Sequence, residues 1–209
     1  MGVECCGGQD QARNEPFRRV LWIALAINAA MFLAEVAAGL LAGSASLQAD
    51  ALDFLADAAN YAVSLCVLGL ALVWRARAAL VKGVSMGVFG LWVAGNTLWT
   101  ALAASVPDAT LMGGVGLLAL VANVGVALLL YRHRGGDANM RSVWICSRND
   151  AIGNVAVIVA ALGVLGTSAG WPDVLVAALM VSLALSGAAH VIRRATAELR
   201  SSGMAGAAR

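Results

Sequence analysis

Charge is what this sequence has least of. Only 12% of its 209 residues are Asp, Glu, Lys or Arg, about half the share of an ordinary soluble domain. With 61% hydrophobic residues and a mean hydropathy of +0.82, that shortage excludes a water-solvated globule. Several apolar runs reach the roughly 20 residues needed to cross a bilayer. The sequence is that of an integral membrane protein. Aromatic residues are scarce too, at 6%, too few to line a cavity of the kind that binds organic cations. Cys5, Cys6, Cys66 and Cys146 are too few and too scattered for a secreted disulfide framework. There is no Gly-rich phosphate loop and no patch of interleaved basic and aromatic residues. Nothing points to an enzyme, a resident cofactor or a nucleic-acid partner.

A further absence orients the chain. Six apolar spans are expected: Val20–Leu41, Ser44 to about Trp74, about Val84–Ala104, Leu111–Tyr131, about Ser142–Leu165 and Val174 to about Ile192. The loops after the first, third and fifth contain no Lys or Arg. All 14 basic residues fall on the other side or, for Arg148, in the first turns of the fifth span next to it. Basic loops stay in the cytoplasm, which predicts an all-α polytopic fold with both termini cytoplasmic. The expected organisation is a cytoplasmic tail over 1–19, a six-helix transmembrane domain over 20–192 and a short cytoplasmic tail over 193–209. The first span is longer than a signal-peptide core and carries Glu35, so it reads as retained.

The few charges inside the spans are therefore informative. In the second span, Ser46, Asp50, Asp53, Asp57, Asn60 and Ser64 recur at steps of three and four, which places them on one helical stripe. The rest of that helix is Ala, Leu, Phe and Val. An anion in a low-dielectric setting must meet water, a partner charge or a cation. A second polar cluster opens the fifth span: Ser142, Cys146, Asn149, Asp150 and Asn154. Cys146 and Asp150 are four apart and project together. Counting about 1.5 Å per residue puts Asp53 and Asp57 roughly 11 and 17 Å from one surface, and Cys146 and Asp150 roughly 8 and 14 Å from the other. In a core about 30 Å thick the two pairs meet near the midplane. Two facing i,i+4 pairs supply four ligands, which suits tetrahedral Zn²⁺ or a softer relative such as Cd²⁺.

The run Asn28…Glu35…Gly39…Ser44-Ala-Ser46-Leu-Gln-Ala-Asp50-Ala-Leu-Asp53…Asp57…Asn60 resembles the first two helices of the cation diffusion facilitators. The segment Cys146…Asp150-Ala-Ile-Gly-Asn154 is similar to their fifth. The resemblance implies a homodimeric exporter of divalent transition-metal ions, usually driven by proton exchange, with Asp53, Asp57, Cys146 and Asp150 as the metal site. Zinc-type members commonly carry His at the position of Cys146. Most members also have a cytoplasmic C-terminal metal-binding domain, for which 193–209 leaves no room, so a dimer here is expected to rest on membrane helices.

Other residues carry weaker signals. Asn28, Glu35, Ser46, Asp50, Asn60, Asn149 and Asn154 are candidates for the ion pathway or for supporting the ligands. Cys66 reads as packing, Cys5 and Cys6 as part of a disordered tail, and His133 and His190 as surface or interfacial residues. A proton-coupled exporter of small organic cations is the alternative function, and a membrane scaffold or sensor a third.

Overall fold

The computed structural model describes residues 15–66, 72–132 and 138–207, with side chains over 17–65, 73–74, 76–132 and 150–200. Six helices account for them: α1 Glu15–Ala42, α2 Ala45–Cys66, α3 Leu72–Ala103, α4 Ala109–Tyr131, α5 Ala138–Thr167 and α6 Trp171–Ala207. No strand occurs among the described residues. Five of the helices are long and apolar enough to cross a membrane. The exception is α2, whose Asp50, Asp53 and Asp57 lower its hydropathy, although its 22 residues span about 33 Å.

Lipid replaces water around this bundle, and the surface shows it. Leu33, Leu41, Val88, Trp99, Leu102, Val121, Leu162 and Leu183 all point outward, Leu41 at 82% exposure. The interior holds most of the polar residues, with Asn28, Glu35, Gln48, Asp50, Asn123, Asn154 and Asp173 all buried among apolar side chains, as expected where helices associate through close packing and hydrogen bonds. The protein is a multi-pass membrane protein.

Helix α2 packs against all five of the others. The remaining close pairings are α3 with α6, α4 with α5, α1 with α4 and α5 with α6. Apolar clusters fill both ends of the bundle. Ala38, Leu47, Leu52, Met112, Val157 and Val164 lie in the cluster toward the non-basic side. Phe17, Leu21, Tyr61, Val126 and Leu130 form that toward the basic side. Met31, Phe54 and Ala119 make a smaller contact between them.

The turn from α1 into α2 is tight. Gly43 takes φ +65°, a left-handed conformation that glycine adopts without steric cost. Ser44 then caps α2, its Oγ accepting from Leu47 N at 3.2 Å. Asp108 caps α4 in the same way, accepting from Thr110 N and Leu111 N at 2.9 and 3.0 Å.

The helix ends differ from the sequence expectation. The second helix ends at Cys66, not near Trp74, and α3 begins at Leu72, well before Val84. Arg77 and Lys82 are thus helical residues. A long basic side chain lets its helix run on beyond the hydrocarbon core while the charge reaches the interface, and Arg77 lies 4.9 Å over the Trp74 ring. For the same reason α1 starts at Glu15, α5 at Ala138, and α6 runs on through 193–207, where Arg194 and Glu198 pair at 3.4 Å.

Candidate metal site

The stripe on α2 turns into the bundle. Asp50 and Asp57 are buried and Asp53 is half-buried. From α5, Asp150 lies close enough to Asp57, Asp53 and Asp50 for their carboxylates to act on it. The α2 and α5 acids therefore share one neighbourhood. Asp57 Oδ2 also accepts from the Tyr61 hydroxyl at 2.9 Å.

Cys146 and Asn149 lie outside the residues whose side chains are described, and Cys5 and Cys6 fall outside the described residues altogether. Among the described residues no group of three His, Cys, Asp or Glu side chains closes tightly enough to hold an ion. The acids share one neighbourhood without forming a finished coordination shell.

Toward the α2 N-terminus lies a second polar layer. Asn154 Nδ2 donates to Asp50 Oδ2 at 2.5 Å, and Asn123 Nδ2 donates to Asn154 Oδ1 at 2.9 Å. This chain joins α4, α5 and α2. The Glu35 carboxyl of α1 reaches Asp50. Asn28 donates to Ala24 O of its own helix at 2.8 Å.

Beyond that layer α2 is closed off. Asp173, fully buried on α6, accepts from Ser44 Oγ at 2.7 Å, Ala45 N at 2.7 Å, Ser46 N at 3.0 Å and Ser46 Oγ at 2.6 Å. It satisfies N–H groups that the first turn of a helix always leaves without a partner, and it does so with a charge that suits the positive end of the helix. Ser46, a pathway candidate, is thus engaged by Asp173 and buried.

At the basic end the arrangement is looser. Lys82 Nζ donates to Asn60 Oδ1, and a cavity of about 360 Å³ is lined by Asn60, Lys82, His190, Arg194 and Glu198 among others. His190 is exposed, as its surface reading required.

The family model described as "Cation efflux transmembrane domain" matches residues 21–200. The chain belongs to the cation diffusion facilitator family. It is also 29% identical over 183 residues to the proton-coupled zinc antiporter SLC30A8 of Xenopus tropicalis, an alignment covering 72% of this chain and 49% of that protein. The chain spans about half the length of that relative. Within the family match lie Glu35, Asp50, Asp53, Asp57, Asp150 and Asp173.

Three contributors escaped the sequence reading. Tyr61 stands four residues after Asp57, on the same stripe, and that spacing was a usable signal. Asn123 was visible as a lone amide in an apolar span, but its partner on α5 was not. Asp173 sat beside an expected turn, 129 residues from Ser44, and nothing local marks such a pairing.

Proposed function

We propose that this protein exports divalent transition-metal ions, Zn²⁺ or Cd²⁺ first among them, in exchange for protons by alternating access. What supports the proposal is a neighbourhood of acids from α2 and α5, Asp50, Asp53, Asp57 and Asp150, inside the membrane region, in a chain of the cation efflux family. Carboxylates brought together in a medium that tolerates no uncompensated charge call for a cation. In this reading Asp53, Asp57, Cys146 and Asp150 are the ligands of the transported ion. Thiolate and carboxylate ligands bind metal deprotonated, so entry of the ion displaces protons from the site. Binding and proton release become one equilibrium, and opening the site first to one side and then to the other makes it an antiport.

Orientation follows from the arginines. The Asn60–Lys82 cavity would face the cytoplasm, and the Asp173 cap on α2 would close the far side. The homodimer implied by the family belongs to the same proposal, and a monodisperse monomer in nanodiscs that still transports would refute that part.

Transport into vesicles decides the main claim. Asp57→Ala and Asp150→Ala should each abolish metal flux in protein that remains monodisperse. Flux at the wild-type rate in either variant would remove the site assignment. Selectivity turns on the thiolate, the softest donor of the four. Cys146→Asp should shift preference from Cd²⁺ and Zn²⁺ toward Mn²⁺, while Cys146→His should keep Zn²⁺. If both variants retain the original ion profile, Cys146 is not a ligand.

A further inference from the structure

The cavity at the basic end, about 360 Å³, lies where α2, α3 and α6 pack together. Its polar lining is Asn60 from α2, Lys82 from α3, and His190, Arg194 and Glu198 from α6. Valine and alanine side chains make the rest of the wall. Two cations and an imidazole thus stand against one carboxylate, a balance that disfavours a metal ion and favours an anion. On α6 the three polar residues follow at steps of four and share one face. Arg194 pairs with Glu198 through Nε at 3.4 Å, with the arginine side chain 76% exposed. An ion pair so open to solvent contributes little, and paired guanidinium N–H groups form the fork that matches a phosphate. Lys82 Nζ donates to Asn60 Oδ1, which ties α3 to α2 across the same wall.

Depth identifies the anion. Helix α3 ends at Ala103 and α6 begins at Trp171, both on the non-basic side. At about 1.5 Å per residue, Lys82, His190 and Arg194 stand roughly 28 to 35 Å from those ends. That is the inner edge of a hydrocarbon core about 30 Å thick, the level of lipid phosphates. Val81 and Val84, on either side of Lys82 along α3, are exposed, so the cavity adjoins a surface suited to acyl chains. We infer that the cavity binds the phosphate of an anionic phospholipid of the cytoplasmic leaflet. Lys82 and Arg194 supply the charge, and the His190 imidazole and the Asn60 amide supply N–H donors. Basic pockets between membrane helices on the cytoplasmic side take headgroups of this kind. Asn60 is three residues from Asp57, so the bound phosphate lies about one helical turn from the acidic stripe. Leaflet composition thereby reaches the ion pathway, a consequence that rests on the transport reading, whereas lipid binding itself does not.

The test is lipid retention by the purified full chain, placed in nanodiscs of phosphatidylcholine with a minor fraction of phosphatidylglycerol. Native mass spectrometry then counts the lipids that leave the disc with the protein. The wild type should keep phosphatidylglycerol in preference to phosphatidylcholine. Lys82→Gln and Arg194→Gln should each weaken that preference about 5-fold. Glu198→Gln removes the one opposing carboxylate and should strengthen it. Arg193→Gln deletes the same charge from an exposed residue outside the cavity lining and should retain lipid like the wild type. Arg194, Arg193 and Glu198 lie at the solvated end of α6, and an unchanged unfolding temperature in phosphatidylcholine alone shows that their variants are folded. Equal losses from Arg193→Gln and Arg194→Gln would reduce the effect to general surface charge and overturn the site. Equal retention of the two lipids by the wild type would overturn it outright. Inorganic phosphate and glycerol 3-phosphate, added to the same discs, should not displace the retained lipid. Displacement by either would make a soluble phosphate the ligand and overturn the lipid assignment. None of these outcomes alters the metal-flux results for Asp57→Ala and Asp150→Ala, so the two readings stand or fall separately.

Discussion

The α3–α6 pair and the bundle of α1, α2, α4 and α5 are held together in opposite ways. Between α3 and α6 the contact is apolar and close: a Cβ on Gly83 would lie 2.9 Å from Ile192 Cγ1, and one on Gly90 would lie 2.8 Å from Leu185 Cδ2. The hydroxyls of Thr97, Ser182, Ser186 and Thr196 turn back onto carbonyls of their own helices. In the bundle the polar groups reach across instead, from Asn123 to Asn154 to Asp50, and the Asp150 carboxyl lies near those of α2. Packing of the first kind is indifferent to protons and ions. Contacts of the second kind are acids and amides, groups that can exchange partners with protons and cations. The pair is therefore the part suited to move as one body, and the bundle the part suited to rearrange. Helix α2 belongs to both, since it packs against every other helix and takes its cap from α6.

The sharpest way to break this division is at the joint. Asp173→Ala removes the acceptor for four donors of Ser44, Ala45 and Ser46 and leaves buried N–H groups without partners. The expected loss is about 3–5 kcal/mol, read as a large drop in thermal unfolding temperature in detergent. An unchanged unfolding temperature would mean that α6 does not hold α2. Gly83→Val strikes the apolar pair alone. Overpacking against Ile192 and Val191 should cost about 1–3 kcal/mol, while the set of metals bound stays as in the wild type. A changed metal profile in that variant would erase the distinction between the two regions. Tyr61→Phe is the mildest probe. It deletes one hydroxyl donated to Asp57, worth about 1 kcal/mol, and should alter Zn²⁺ affinity several-fold with little effect on unfolding. Equal effects on both would make Tyr61 a packing residue only.

Periodicity made most of the bundle legible. The stripe from Ser46 to Asn60 could be read because helical spacing of three and four is a local property, and the matching depth of α5 followed from counting residues. Helix ends were harder to read. Arg77 and Lys82 look like loop residues by charge, yet their long stems let α3 run on beneath them. Residues 193–207 likewise continue α6 as helix, which polarity alone does not reveal. Pairings across the sequence were beyond reach for a different reason. Asp50 and Asn154 were both singled out, but their bond depends on how two helices rotate about their axes, which hydropathy does not encode. Asp173 makes the point most strongly: a carboxylate beside a turn looks solvated until the opposite helix is in place.

That last contact bears on how the chain is made. Synthesis delivers α2 long before α6, and α2 is the helix that the other five exceed in hydropathy. Until Trp171 and Asp173 arrive, its first turn carries bare N–H groups and its stripe of acids has no enclosing wall. The hairpin with α1, with Gln48 Nε2 donating to Gly39 O at 3.3 Å, is what retains it meanwhile. A chain stopped before Trp171 should leave an Ala49→Cys thiol open to a membrane-impermeant reagent, whereas the whole chain should protect it, because Ala49 is 1% exposed. The most acidic membrane helix is thus a guest of the bilayer on credit, confirmed in residence only once α6 is inserted.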